Sequence, residues 1–303
     1  MTIPLRRTRA AATAILGLAV LAACTSTPTA APKFTATPTT PSTTSPTTLA
    51  TPADGQQPVA IIHIHAVARD PITDELLLAT HQGLFRQVDG ELRQNGPNID
   101  LMSFAVGPDG TYYASGHPGV GVDLPQPVGL LTSTDAGSTW QVVSRGGESD
   151  FHALAVGSKS VTGFDGTLRT STDRRTWTTH SIPSPPQVLA AAPTSGTLLA
   201  TTSDGLLISG EDGGSWRELT PPKTALLVAW ADERTIVTAT IGGHLATSND
   251  AGATWALYPK SLGAAEALFA QRGTDGQLEI IVAVDGKVLR ITNGGETAET
   301  LVP

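Results

Sequence analysis

"TSTDAGSTW" (132–140), "TSTDRRTW" (170–177), "ISGEDGGSW" (208–216) and "TSNDAGATW" (247–255) are four copies of one phrase. The tryptophans that end them, Trp140, Trp177, Trp216 and Trp255, lie 37, 39 and 39 residues apart, and a degraded fifth copy, "ITNGGETA", follows at 291–298. Self-similarity at a period near 40 residues marks a repeat architecture. Upstream of each copy stands a glycine-led or similar apolar run, such as "GLLTS" at 129, "GTLRT" at 166, "GLLIS" at 205 and "GHLAT" at 243. Two further short apolar runs precede it, for example "HALAVGS" and "VTGF" before "GTLRT". Each unit therefore holds three short strands, an acidic turn and a fourth strand. Units of that size, repeated radially, predict an all-β fold, a β-propeller of four-stranded blades. Six blades fit the residues, with seven as the alternative count.

The turn S-x-D-x-G-x-x-W resembles the Asp-box, or BNR repeat, of sialidase-like and sortilin-like propellers. Asp135, Asp173, Glu211 and Asp250 fill its acidic position. A carboxylate there can accept hydrogen bonds from turn amides, the glycine takes a backbone conformation that other residues disfavour, and the tryptophan packs between blades. This motif speaks for the fold and is silent on chemistry.

The chain ends carry a different message. Arg6, Arg7 and Arg9 precede "AAATAILGLAVLAA" (10–23), an apolar run of 14 residues ending in small side chains. That is the pattern of a secretory signal and is too short to span a bilayer. Leu21-Ala22-Ala23-Cys24 resembles a bacterial lipobox, and Cys24 is the single cysteine. The resemblance implies cleavage before Cys24, lipidation of its sulfur and display on the outer face of the cytoplasmic membrane. Thr, Ser and Pro fill 21 of the next 29 positions, 25–53. Such a segment cannot bury enough apolar surface to fold, and in extended polyproline form it reaches roughly 90 Å. The expected organisation is a signal peptide over 1–23, a lipidated cysteine and disordered linker over 24–57, and a propeller over 58–303. A net charge of −8 without a basic cluster beyond the signal argues against nucleic acid as a partner.

The chain has seven histidines, and three of them, His63, His65 and His81, fall within "HIHAVARDPITDELLLATHQG". With strands A to D counted from the centre of a blade, the D–A and B–C connections share one face of the disc. His63 and His65 stand where strand A of blade 1 begins, and His81 stands in the B–C connection of that blade. His117 falls in the same connection of blade 2, and His152 in blade 3 corresponds to His65. Asp100 and Asp150 precede strand A of blades 2 and 3, with Asp123 and Glu148 as alternates. The matching stretches of blades 4 to 6, "PPQVLA", "KTALLVA" and "AAEALFA", read as bland. One half of one mouth is therefore polar and ionisable.

"HIHAVARDP", "ATHQGLFR", "SGHP", "STDAGSTW" and "DFHALAV" together resemble a family of secreted bacterial BNR-repeat proteins, often labelled glycosyl hydrolase-like. The resemblance covers residues 58–303 and is strongest over 63–177. It implies a propeller scaffold and leaves the chemistry open. A sialidase needs three arginines around a carboxylate and a tyrosine nucleophile, and this mouth offers neither. Three expectations stand side by side. His63, His65, His81, His117 and His152 are ligands for zinc or another divalent transition metal, with Asp100 or Asp150 as an oxygen donor. Alternatively, Asp100 and Asp150 are the carboxyl pair of a glycoside hydrolase. The third expectation is a module that captures a glycan, peptide or protein with no chemistry.

Overall fold

The computed structural model describes residues 49–50 and 59–303. Cys24 and the segment read as a signal lie outside them. Six four-stranded antiparallel sheets follow one another along the chain. A two-residue pair comes first, β1 (Leu49–Ala50) against β2 (Val59–Ala60). Blade 1 is β3 (Ile64–Arg69), β4 (Leu76–Thr80), β5 (Gly83–Val88) and β6 (Glu91–Asn95). Blade 2 is β7 (Ile99–Val106), β8 (Tyr112–Pro118), β9 (Leu130–Ser133) and β10 (Gln141–Ser144). Blade 3 is β11 (Ala153–Val156), β12 (Val161–Phe164), β13 (Leu168–Ser171) and β14 (Thr178–His180). Blade 4 is β15 (Pro186–Ala191), β16 (Leu198–Thr202), β17 (Gly205–Ser209) and β18 (Arg217–Leu219). Blade 5 is β19 (Ala225–Trp230), β20 (Ile236–Thr240), β21 (His244–Ser248) and β22 (Ala256–Ser261). Blade 6 is β23 (Ala265–Arg272), β24 (Leu278–Val284), β25 (Lys287–Thr292) and β26 (Thr297–Val302). This is a six-bladed β-propeller, the first of the two counts the repeat allowed.

Leu49 and Ala50 fall inside the stretch read as linker. They are an apolar pair in a Thr/Pro-rich run, and they pair with Val59 and Ala60.

The first strand of each blade touches the first strand of the next, and β23 closes on β3. The hydrophobic core is accordingly split into layers between neighbouring blades. Val67, Leu76, Leu78 and Phe85 of blade 1, for example, meet Ala267, Ile281, Val288 and Val302 of blade 6. All four strands of every blade are consecutive in sequence, so no shared strand locks the ring. Closure rests on that apolar layer, on Gln87 Nε2 donating to Leu301 O at 2.8 Å, and on buried Glu279. Its Oε1 lies 2.9 Å from Arg69 Nη2 of blade 1 and 2.7 Å from Arg290 Nε of its own blade.

The repeated turns behave as their chemistry demands. Asp135 Oδ1 accepts from the Thr139 amide at 2.9 Å and Oδ2 from the Thr139 hydroxyl at 2.6 Å, while the Gly137 amide donates to Ser133 Oγ at 2.8 Å. Asp250 repeats the arrangement with Thr254 and Ser248. These donors, the threonine hydroxyl first, hold both carboxyls down at about 2. Trp140, Trp177, Trp216 and Trp255 each pack against the layer between their own blade and the preceding one. Blade 6 has Ala298 where blades 2 to 5 have tryptophan. A cavity of about 270 Å³ lined by Leu245, Tyr258, Leu262, Ile291 and Gly295 lies at that seam.

Candidate functional site

Backbone irregularity decides what faces the mouth. In blade 1, Ile64 pairs with Thr80 and Ala66 with Ala79, so the ladder skips His65. The same skip falls at Met102 in blade 2, Gln187 in blade 4, Leu226 in blade 5 and Glu266 in blade 6. In blade 3 the ladder starts at Ala153, one residue after His152. A bulge in the innermost strand frees one side chain per blade from the sheet alternation and re-aims it. His65 and His152 therefore occupy equivalent places, as their sequence contexts predict. Blades 4 and 6 are less bland than expected, because Gln187 and Glu266 hold the same position. Glu266 is occupied, its Oε1 accepting from the Gly286 amide at 3.3 Å. A repeating -x-bulge- register was the signal that would have found both.

Two donor sets form on this mouth. In the first, His65 Nε2 is 3.2 Å from His81 Nδ1, His81 Nδ1 is 2.9 Å from Asp100 Oδ1, and His65 Nε2 is 3.7 Å from Asp100 Oδ1. The His63 ring lies 4.6 Å from that of His65 and 5.7 Å from that of His81, centroid to centroid. Burial first, then the neighbouring His81 and His63, pushes the His65 imidazole down to about 4, so it is neutral at neutral pH. In the second set, Asp150 Oδ2 lies 3.1 Å from His117 Nε2 and 2.6 Å from His152 Nε2. All five predicted histidines and both principal carboxylates thus gather on blades 1 to 3.

Local structure holds them there. His81 and Gln82 form the tight turn between β4 and β5, fastened by Thr80 Oγ1 donating to Gly83 O. His117 lies on β8, one residue from its end, and not in the connection where its sequence context had placed it. It pairs there with Asp100 of β7. The strand is longer than expected because Gly116, at φ 150°, lets β8 pass close under the Asp100 carbonyl. Between Asp150 and His152, Phe151 is fully buried. Its amide donates to Ser115 Oγ at 3.0 Å, its carbonyl accepts from Ser103, and its ring lies 5.0 Å from that of Trp177. Anchoring Phe151 sets both neighbours.

The alternates do not join the site. Asp123 is exposed in the long connection of blade 2, and Glu148 pairs with Arg145 at 3.4 Å. His180 pairs on outer strand β14, and His244 Nδ1 donates to Tyr258 O at 3.2 Å. Arg69, Arg86 and Arg145 are bound to Glu279, Glu75 and Asp165, and the Tyr112 and Tyr113 side chains are buried. No arginine triad with an open tyrosine forms from them.

The first set has the shape of a cation site. Ligand atoms held at 2.0–2.2 Å by tetrahedral zinc stand about 3.3–3.5 Å from one another. The triangle of His65 Nε2, His81 Nδ1 and Asp100 Oδ1 has edges of 2.9, 3.2 and 3.7 Å. His81 Nδ1 carries one hydrogen at most and faces two partners, so hydrogen bonding satisfies the triangle incompletely. A divalent cation satisfies all three lone pairs. Two imidazoles and a carboxylate on one face, with exposed His63 offering a further ring nitrogen within 4.8 Å of those of His65 and His81, suit zinc and other first-row divalent ions.

Fold and site together define a class, a six-bladed β-propeller with an imidazole–carboxylate mouth. No known family profile matches the chain, and no curated protein shows significant similarity to it. Solved structures with the same scaffold include a catalytically inactive histidine-to-alanine variant of virginiamycin B lyase from Staphylococcus aureus with quinupristin. It is 12% identical, and the match covers 80% of this chain and 84% of that one at a TM-score of 0.54. YCF48 from Cyanidioschyzon merolae is 13% identical over 79% of this chain and 98% of its own, at 0.52. An ancestral GH74 enzyme is 12% identical over 85% of this chain and 39% of its own, at 0.53. At such identities the likeness is one of fold, and propellers carry lyases, hydrolases and binding modules alike.

Proposed function

We propose that this protein is an exported, lipid-anchored propeller of the BNR-repeat type that captures a ligand through a divalent transition-metal ion at its histidine-bearing mouth. His65, His81 and Asp100 hold the ion, and His63 stands at its rim. The observation that carries this reading is the triangle of donors from two blades, spaced as ligands are spaced around zinc. His63 and His81 are exposed, so an oxygen or nitrogen of a glycan, peptide or protein can approach the ion from solvent. Leu21–Cys24 and the Thr/Pro-rich segment support the anchor and its reach.

A second reading, glycan hydrolysis by Asp100 and Asp150, draws on their common mouth. Each carboxylate is flanked by imidazoles, which suits a metal ligand or hydrogen-bond acceptor better than a protonated general acid. Elemental analysis of the full chain, purified without a histidine tag or chelator, tests the metal. At least one equivalent of zinc, copper, nickel or iron is expected, with the ion at this triangle lost in His65→Ala/His81→Ala. No metal in the wild type after reconstitution sinks the reading, and glycan turnover abolished by Asp100→Asn and Asp150→Asn would then favour the second. Membrane fractionation of Cys24→Ser tests the anchor, with release to the soluble fraction expected.

A further inference from the structure

We infer that the mouth holds a second divalent cation at His117, Asp150 and His152, and that the loaded pair forms a receptor for a bridging oxyanion such as phosphate. The first ion of the pair rests on the reading above, whereas the second rests on separate residues of blades 2 and 3. One ligand atom from each of the three lies within 4.8 Å of the others. Asp150 Oδ2 is shared between the two imidazoles, at 3.1 and 2.6 Å. The opposite atoms, Asp150 Oδ1 and His117 Nδ1, are buried without a hydrogen-bond partner. An unsatisfied buried carboxylate oxygen is costly, and native folds keep few of them outside working sites. A cation bound to the carboxylate offsets that cost, and exposed His152 leaves an open side.

The two donor sets are neighbours. Asp100 of the first pairs directly with His117 of the second across β7 and β8. Directly opposed residues hold their Cβ atoms about 4.5–5.5 Å apart, so no layer of protein separates the sets. Two cations placed side by side clamp an oxyanion between them, one oxygen on each. Charge makes capture conditional on loading. Asp100 and Asp150 contribute two negative charges to the donor sets, on a chain of net −8. Two divalent ions add four positive charges, which turns −2 into +2 at the donor sets. The empty sets repel an anion and the loaded sets attract it.

The test uses the untagged full chain, stripped by chelator and dialysed, then titrated with Co²⁺ followed by d–d absorption and with Zn²⁺ followed by calorimetry. Two equivalents are expected in the wild type, one in His117→Ala/His152→Ala and one in His65→Ala/His81→Ala. Asp150→Asn serves as the milder second variant, and melting curves confirm that each variant folds. Inorganic phosphate should bind the loaded wild type at least tenfold more tightly than the stripped protein or either double variant. A single equivalent that disappears in His65→Ala/His81→Ala and survives in His117→Ala/His152→Ala overturns this inference and leaves the proposed function standing. No bound metal overturns both. Two equivalents with no phosphate affinity overturn the ligand class.

Discussion

Acid should destabilise the metal-free protein through His65 before it touches the rest of the fold. The imidazole is held down from its ordinary 6.5 to about 4, chiefly by burial, with His81 and His63 adding to the effect. The folded protein therefore prefers the neutral ring, while the unfolded chain takes up a proton near 6.5. Above that pH the group has no effect on stability. Between 6.5 and 4 the unfolded state binds more protons, and stability falls as the pH falls. The full drop corresponds to about 3.4 kcal/mol at about 1.36 kcal/mol per pH unit. Solvent across the open mouth screens part of it, and about 2 kcal/mol is expected to survive. For a domain of this size that is about 4–8 °C in Tm. The assay is thermal melting of wild type and His65→Gln in chelator from pH 7.5 to 4. Subtracting one curve from the other cancels the titrating groups that do not interact with His65. The wild type should lose about 4–8 °C relative to the variant across the window. A difference that stays flat from pH 7.5 to 4 would refute the reasoning, because the ring would then be as free as one in water.

Three further outcomes follow from packing. Glu279→Leu removes the buried carboxylate that ties blade 6 to Arg69 and leaves that largely covered guanidinium with only exposed Asp74 as a partner. A loss of about 3–5 kcal/mol is expected by denaturant titration, and an unchanged midpoint would show that the apolar seam closes the ring alone. Trp177→Ala deletes the ring beside Phe151 and the indole donor to Ser144 Oγ at 3.0 Å. It should cost about 3 kcal/mol in calorimetric melts and leave metal binding at His65 and His81 intact. Gly116→Ala would place a Cβ 1.9 Å from the Asp100 carbonyl oxygen at a φ of 150°. The β7–β8 pair must shift, so metal titration should show weaker binding at both donor sets, and wild-type affinity would mean that the pair does not position the site.

The amino-acid sequence by itself determined the architecture. Four copies of S-x-D/E with a tryptophan four or five residues after the acid, and three apolar runs ahead of each, are local signals. Turn chemistry and strand alternation act within a dozen residues, so the blade unit was legible without tertiary information, and the count was narrowed to six or seven. The half of the mouth bearing His63, His65, His81, His117 and His152 was legible for the same reason, since equivalent positions in a repeat land on one face. The tertiary structure alone decided the rest. Which donors meet at 2.9 to 3.7 Å depends on the angle between blades and on a bulge at His65, and neither leaves a mark in composition or period. His117 joined Asp100 because Gly116 lets two strands approach, a contact between residues 17 apart in sequence. Asp123 and Glu148 had the right chemistry in sequence and the wrong surroundings in space, one exposed on a loop and the other pulled to Arg145. Ionisable side chains acquire a role from their neighbours, and neighbours from different blades are set only when the ring closes.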